Sequence, residues 1–155
     1  QAVTLGAQFL AGKGYEKIIS SYFYTVGGIC YINYEYTEGD TVIYPDLIQL
    51  GVSLDNGKIV YMDASGFLNN NRTGRDLTPG ITREEAAGAL SAGITPKSEA
   101  RLCIIPSLGK NEILCYEFEC SGENGSSYLI YINAKTGLIE NIFMLVEDEN
   151  GTLTV

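Results

Sequence analysis

Leu114-Cys115-Tyr116-Glu117-Phe118 has a counterpart 82 residues earlier, Ile32-Asn33-Tyr34-Glu35-Tyr36, with the Tyr-Glu pair kept at its centre. Leu114, Tyr116 and Phe118 alternate with Cys115, Glu117 and Glu119. That period of two is the signature of a β-strand with unlike faces. The Glu117 and Glu119 side is expected to face solvent, the other side a core.

Around the second stretch the signals are ordered. Pro79-Gly80 breaks the chain, and Ile81-Thr82-Arg83-Glu84-Glu85-Ala86-Ala87 opens a helix. Thr82 can cap it while Glu85 reaches back to the cap amide, a capping box. Ala86, Ala87, Ala89 and Leu90 supply an apolar face, and the helix is expected to stop near Gly93 and Pro96. Strands are expected over 100–106, 112–120, 126–133 and 138–147, the last two joined by a turn through Ala134-Lys135-Thr136-Gly137.

The first half repeats this order. A helix is expected over 2–12, with Ala7 and Leu10 lying 80 residues before Ala87 and Leu90. Gly57 precedes Gly137 by the same 80, so the first half carries two extra residues around Tyr44-Pro45-Asp46-Leu47. Asn56-Gly57 is a two-residue hairpin signal. It would set Asp55 opposite Lys58, Leu54 opposite Ile59 and Val52 opposite Tyr61, giving Val52, Leu54, Ile59 and Tyr61 one common face. Ala2 stands where Thr82 stands in the second half, so the first helix lacks its cap. The expected architecture is α+β, with two tandem repeats, each a helix on an antiparallel sheet. Their bounds are 1–70 and 81–155, and 71–80 is a linker within a polar, non-periodic run.

Composition narrows the function. Ten basic against 19 acidic residues give a net charge of −9, unsuited to nucleic acid. No run of apolar residues is long enough to span a membrane. The chain opens at Gln1 without a signal pattern and is read as part of a longer protein, with any anchor elsewhere. With no histidine and no Cys-x-x-Cys pair, neither a metal site nor a cofactor is expected. Cys30, Cys103, Cys115 and Cys120 could pair in an oxidising compartment, but buried free thiols are the simpler reading. The missing histidine also removes the commonest base for a serine or cysteine nucleophile. Glu35 and Glu117 would serve a glycosidase only by converging in a cleft. A non-enzymatic binding role fits better.

Eleven tyrosines favour interfaces, because the ring packs while the hydroxyl stays wet. Tyr34, Tyr36, Tyr44, Pro45, Asp46 and Leu47 are the candidate partner-binding residues. Pro45 cannot donate to a ladder, so its segment should be an edge strand or bulge, either protected or used for docking.

Two sets of residues carry a resemblance. The Thr-x-x-Glu-Ala-Ala helix start at 82–87 with Tyr131-Ile132-Asn133-Ala134-Lys135-Thr136-Gly137 resembles the PepSY domain. Tyr44-Pro45-Asp46-Leu47-Ile48, Leu54-Asp55-Asn56-Gly57, Gly66-Phe67-Leu68, Arg75-Asp76-Leu77, Leu114-Cys115-Tyr116-Glu117-Phe118 and Gly151-Thr152-Leu153-Thr154, in that order, resemble the C-terminal region of YpeB-family spore-germination proteins. The resemblance implies a membrane-anchored protein with tandem PepSY domains, placed outside the cytoplasm at the spore inner membrane and cortex. It further implies a SleB-type cortex-lytic enzyme as partner, stabilised or restrained by the chain. PepSY likeness alone would suggest a protease inhibitor or pro-segment-like module, and the tyrosine-rich surface a peptidoglycan-binding module.

Overall fold

Alternating sequence becomes antiparallel sheet in both halves of the chain. A computed structural model describes residues 1–109 and 111–155. They fall into two units: Gln1–Gly39, Ile43–Thr73 and Glu147–Leu153 in the first; Asp40–Val42, Gly74–Val146 and Thr154–Val155 in the second. Every strand pair with a described register is antiparallel.

The first unit runs α1 (Ala2–Gly12), β1 (Ile18–Val26), β2 (Ile29–Glu38), β3 (Thr41–Ser53), β4 (Ile59–Asp63) and α2 (Ser65–Asn70). Strand β2 pairs with β1 and β3, and β3 with β4. Its core is built from alternate strand positions, Cys30, Ile32 and Tyr34 on β2 and Ile48, Leu50 and Val52 on β3, with Leu10 of α1 laid over them. Burying each such aliphatic side chain contributes roughly 1.5–3 kcal/mol, which is why the period of two decides the face. Helix α1 has no side-chain cap, as its sequence implies. Instead the Tyr34 hydroxyl donates to the Val3 carbonyl at 2.7 Å and ties the helix start to the sheet.

Burial pushes the Tyr34 phenol up to about 12 from its ordinary 10.0. The folded state therefore favours the neutral phenol, and its contribution is complete below pH 10 and lost as pH rises toward 12. Unfolding free energies from urea denaturation followed by circular dichroism are expected to fall over that interval by roughly 1–3 kcal/mol. Tyr34→Phe should flatten this limb while costing about 1 kcal/mol at neutral pH. An unchanged alkaline limb in the variant would contradict the assignment.

The second unit runs α3 (Arg83–Ala87), β5 (Ile94–Pro96), β6 (Arg101–Pro106), β7 (Glu112–Gly122), β8 (Ser127–Asn133) and β9 (Ile139–Asp148). Strand β10 (Gly151–Thr154) belongs, but for its last residue, to the first unit, where it meets β1 at Tyr24↔Gly151. The order β6-β7-β8-β9 is a meander, with β5 beside the far end of β7. Here the Tyr116 hydroxyl donates to the Ile81 carbonyl at 2.8 Å. The expected capping box is present: Glu85 N–H donates to Thr82 Oγ1 at 3.2 Å and Thr82 N–H to Glu85 Oε2 at 2.7 Å.

Two expectations need correction here. Helix α3 ends at Ala87, well before Gly93. Ala89 and Leu90 donate three residues back, to Ala86 and Ala87, so the chain tightens into turns after Gly88. Glycine lowers helix propensity by about 1 kcal/mol, and the short apolar stretch does not offset it.

The Asn56-Gly57 hairpin is not a two-residue turn. Ser53 N–H donates to Lys58 O and Gly57 N–H to Ser53 O, so the loop is 54–57. Gly57 has φ +71° whereas Asn56 is not in the positive-φ region, and a type I′ turn needs both. The ladder then pairs Val52 with Ile59 and Gly51 with Tyr61 across a bulge. Val52 is buried, while Leu54 and Tyr61 are exposed.

The stretch 71–80 is fastened to its neighbours. Asn71 Nδ2 donates to Asp46 Oδ2 at 2.7 Å, Lys135 Nζ to Asp76 Oδ2 at 2.8 Å, and Arg75 forms a two-pronged pair with Glu112.

Candidate functional site

The six candidate residues separate by depth. Tyr34 is 1% exposed and Asp46 0%. Both side chains are engaged inside the first unit, Tyr34 on Val3 O and Asp46 on Asn71 Nδ2, so neither is a surface contact. Tyr36 is half-buried, its ring edge-on to Phe67 of α2 at 5.9 Å. Tyr44, Pro45 and Leu47 are half-buried and share a shallow cleft of about 270 Å³ with Gln49, Asp63, Ser65 and Gly66.

The cleft exists because of how β4 ends. The β3–β4 ladder stops at Gln49↔Asp63. Asp63 Oδ1 then accepts from Ser65 N–H at 2.8 Å, a side-chain turn that starts α2 in the absence of a cap. Gly66 lies so close to β3 that an added Cβ would sit 2.7 Å from Leu47 O and 3.0 Å from Pro45 O. Asn70 Nδ2 donates to Pro45 O at 3.0 Å. Helix α2 thus lies against the part of β3 around Pro45; the edge strand expected there is not seen, because β3 runs unbroken from Thr41 to Ser53 and has partners besides β4. Hydrogen bonds from the Ser65 hydroxyl and then its amide hold the Asp63 carboxyl below its ordinary value. The sequence reading missed Asp63, Ser65, Gly66 and Asn70, although Asp-x-Ser is a signal for such a turn.

The repeated glutamates are not a solvated face. Glu35 is 2% exposed and accepts from Ser21 Oγ at 2.6 Å. Glu117 is 6% exposed and paired with Arg101, whose Nη2 lies 2.6 Å from Oε1. Arg101 sits directly opposite Glu117 on β6, and Tyr131 opposite it on β8. Glu119, half-buried, pairs with Lys97 at 3.1 Å. Alternation says which side a residue points to; it does not say whether that side is covered. Each glutamate is matched to its own neighbour, and the two lie in different units.

All four cysteines are buried free thiols. Burial, above all, pushes the Cys115 thiol up to about 12, and that of Cys103, directly opposite, also upward. Such thiols stay protonated and are poor nucleophiles or ligands. Among the described residues no group of His, Cys, Asp and Glu could hold a metal, and no helix is long and apolar enough to cross a membrane.

A family model described as "YpeB sporulation, PepSY1 and PepSY2 domains" matches residues 1–78. The chain belongs to this family. Sporulation protein YpeB of Bacillus subtilis is 33% identical over 145 residues, covering 91% of this chain and 31% of that protein. Its namesake in Halalkalibacterium halodurans is 36% identical over 115 residues, 74% of this chain and 25% of the relative. The chain therefore spans about a third or less of the relatives it matches. Among solved structures, the Bacillus megaterium YpeB C-terminal domain superposes with a TM-score of 0.82 at 30% identity, covering 94% of this chain and 64% of that one. The mixed α/β fold, mainly antiparallel with few helices, matches that YpeB domain, and the chain is a sporulation-family sequence.

Proposed function

We propose that this chain is a non-enzymatic regulatory module of spore germination, formed of two PepSY-like repeats, which binds a SleB-type cortex-lytic enzyme and holds it stable or restrained. Family membership carries this reading. Matching features in the two units support the repeat: bulges at Gly51/Val52 and Tyr131/Ile132, 80 residues apart, and glycines at φ +71° and +75°. A tyrosine hydroxyl on each sheet tethers its helix start. The module acts outside the cytoplasm, near the spore cortex, and offers surface in place of reactive groups. The surface we assign is the cleft of Tyr44, Pro45 and Leu47 in the first unit.

The purified chain, mixed with the cortex-lytic enzyme, is expected to co-elute with it and either slow its release of cortex fragments or extend its lifetime under proteolysis. Tyr44→Ala together with Leu47→Ser should weaken the complex about tenfold, the loss of about 1.4 kcal/mol expected for a contact centre. No co-elution and no change in the enzyme's activity or lifetime would remove the proposal.

A further inference from the structure

We propose that the cleft formed by Tyr44, Pro45, Leu47 and Asp63 receives a lysine or arginine side chain of the partner protein. This deepens the binding reading above and rests on it for the identity of the partner, not for the chemistry of the cleft. At about 270 Å³ the space lies just below the roughly 300–1,000 Å³ of small-molecule pockets and suits a single long side chain. Tyr44, Pro45 and Leu47 give an apolar wall, which suits the methylene stem of a basic residue. Asp63 lies at the same cleft with its carboxyl ionised, since both the hydroxyl and the amide of Ser65 favour the charged form. The wall is held in place by α2 through Asn70 on Pro45 O and the close packing of Gly66 on Leu47. A net charge of −9 steers cationic segments toward the chain and disfavours acidic ones.

The test uses two probes. In amide NMR titrations with N-acetyl-arginine amide, the signals of Leu47, Ser65 and Gly66 are expected to shift, whereas N-acetyl-glutamate amide leaves them in place. Asp63→Asn keeps an acceptor for Ser65 N–H and so preserves α2. It should weaken the arginine response about three- to fivefold, the range of an exposed ion pair. Absence of shifts in the wild type, or equal shifts in the variant, overturns the inference. With the lytic enzyme as second probe, Asp63→Asn should bind about threefold more weakly at low salt, with a shallower salt dependence. If the wild type binds the enzyme and Asp63→Asn binds it equally well at every salt concentration, the inference also fails. If the wild type ignores the enzyme but discriminates arginine from glutamate through Asp63, the regulatory reading falls and the cleft assignment stands.

Discussion

Arg75→Ala is expected to destabilise the chain by about 3–5 kcal/mol, the cost of removing one partner of a largely covered ion pair. The Arg75 side chain retains 2% of its exposure and that of Glu112 10%. Nε donates to Oε2 at 3.0 Å and Nη2 to Oε1 at 3.1 Å, the parallel two-bond geometry that only a guanidinium can make. Lysine is therefore no substitute, and Arg75→Lys should show more than half of the alanine variant's destabilisation. Since folded domains are stable by only about 5–15 kcal/mol, the alanine variant should sit near the edge of unfolding at 37 °C. Replacing both partners, Arg75→Met with Glu112→Leu, should recover most of the loss, because the charge and its counter-charge leave together. Urea denaturation of the two single variants and the double variant, followed by circular dichroism, gives the coupling energy directly. A loss under 1 kcal/mol for Arg75→Ala would show that the pair is too hydrated to matter.

That pair also shows where the sequence becomes opaque. The capping box at Thr82 and Glu85 was legible because all its atoms lie within one turn of chain. Gly57 and Gly137 were legible because positive φ is a local demand. On β2 a period of two groups Cys30, Ile32 and Tyr34 on the buried face, although the tyrosine-rich sequence offers Tyr34 as a partner contact. Arg75 and Glu112 are 37 residues apart, and nothing near Arg75 marks it as buried; a polar, non-periodic run reads as a linker whether or not one of its cations folds inward. Glu117 failed for a related reason. Its alternation with Tyr116 and Phe118 is real, yet the burial of its side of β7 depends on neighbours that sequence spacing does not reveal, among them Arg101 across the ladder. The hairpin register slipped because Asn-Gly marks a turn without fixing the number of residues outside the ladder. The candidate site was half legible. Pro45 reads as an edge or bulge, yet β3 runs unbroken through it; α2, which lies against it, is a six-residue helix without a cap residue or buried apolar stripe, and nothing in its pattern exceeds that of a loop.

Helix α2 supplies the second large effect, and here two principles predict opposite signs. Gly66 lies inside a helix, where Gly→Ala ordinarily gains about 1 kcal/mol from propensity. Against this, the added methyl would meet Leu47 O at 2.7 Å, Pro45 O at 3.0 Å and Leu47 N at 3.1 Å. All three are backbone atoms of β3, which cannot swing aside as a flexible side chain would. The helix must lift away from the strand instead. Lifting it strains the bonds from Asn70 to Pro45 O and from Asn71 to buried Asp46, and opens the edge-on contacts of Phe67 with Tyr15 and Tyr36. Overpacking of this kind costs roughly 1–3 kcal/mol, and the stretched polar contacts add to it. The steric cost therefore exceeds the propensity gain, and Gly66→Ala should lower stability by about 2–3 kcal/mol, with Gly66→Val worse. A thermal melt decides the sign: at about 2–4 °C per kcal/mol for a chain of this size, a fall of 4–12 °C is expected, roughly, and a rise would show that α2 does not press on β3. The same variant tests the site. A helix lifted from β3 deforms the wall of the Tyr44–Leu47 cleft, so partner binding should weaken in Gly66→Ala more than in Arg75→Ala compared under conditions where both are folded, because Arg75 is not among the residues lining that cleft.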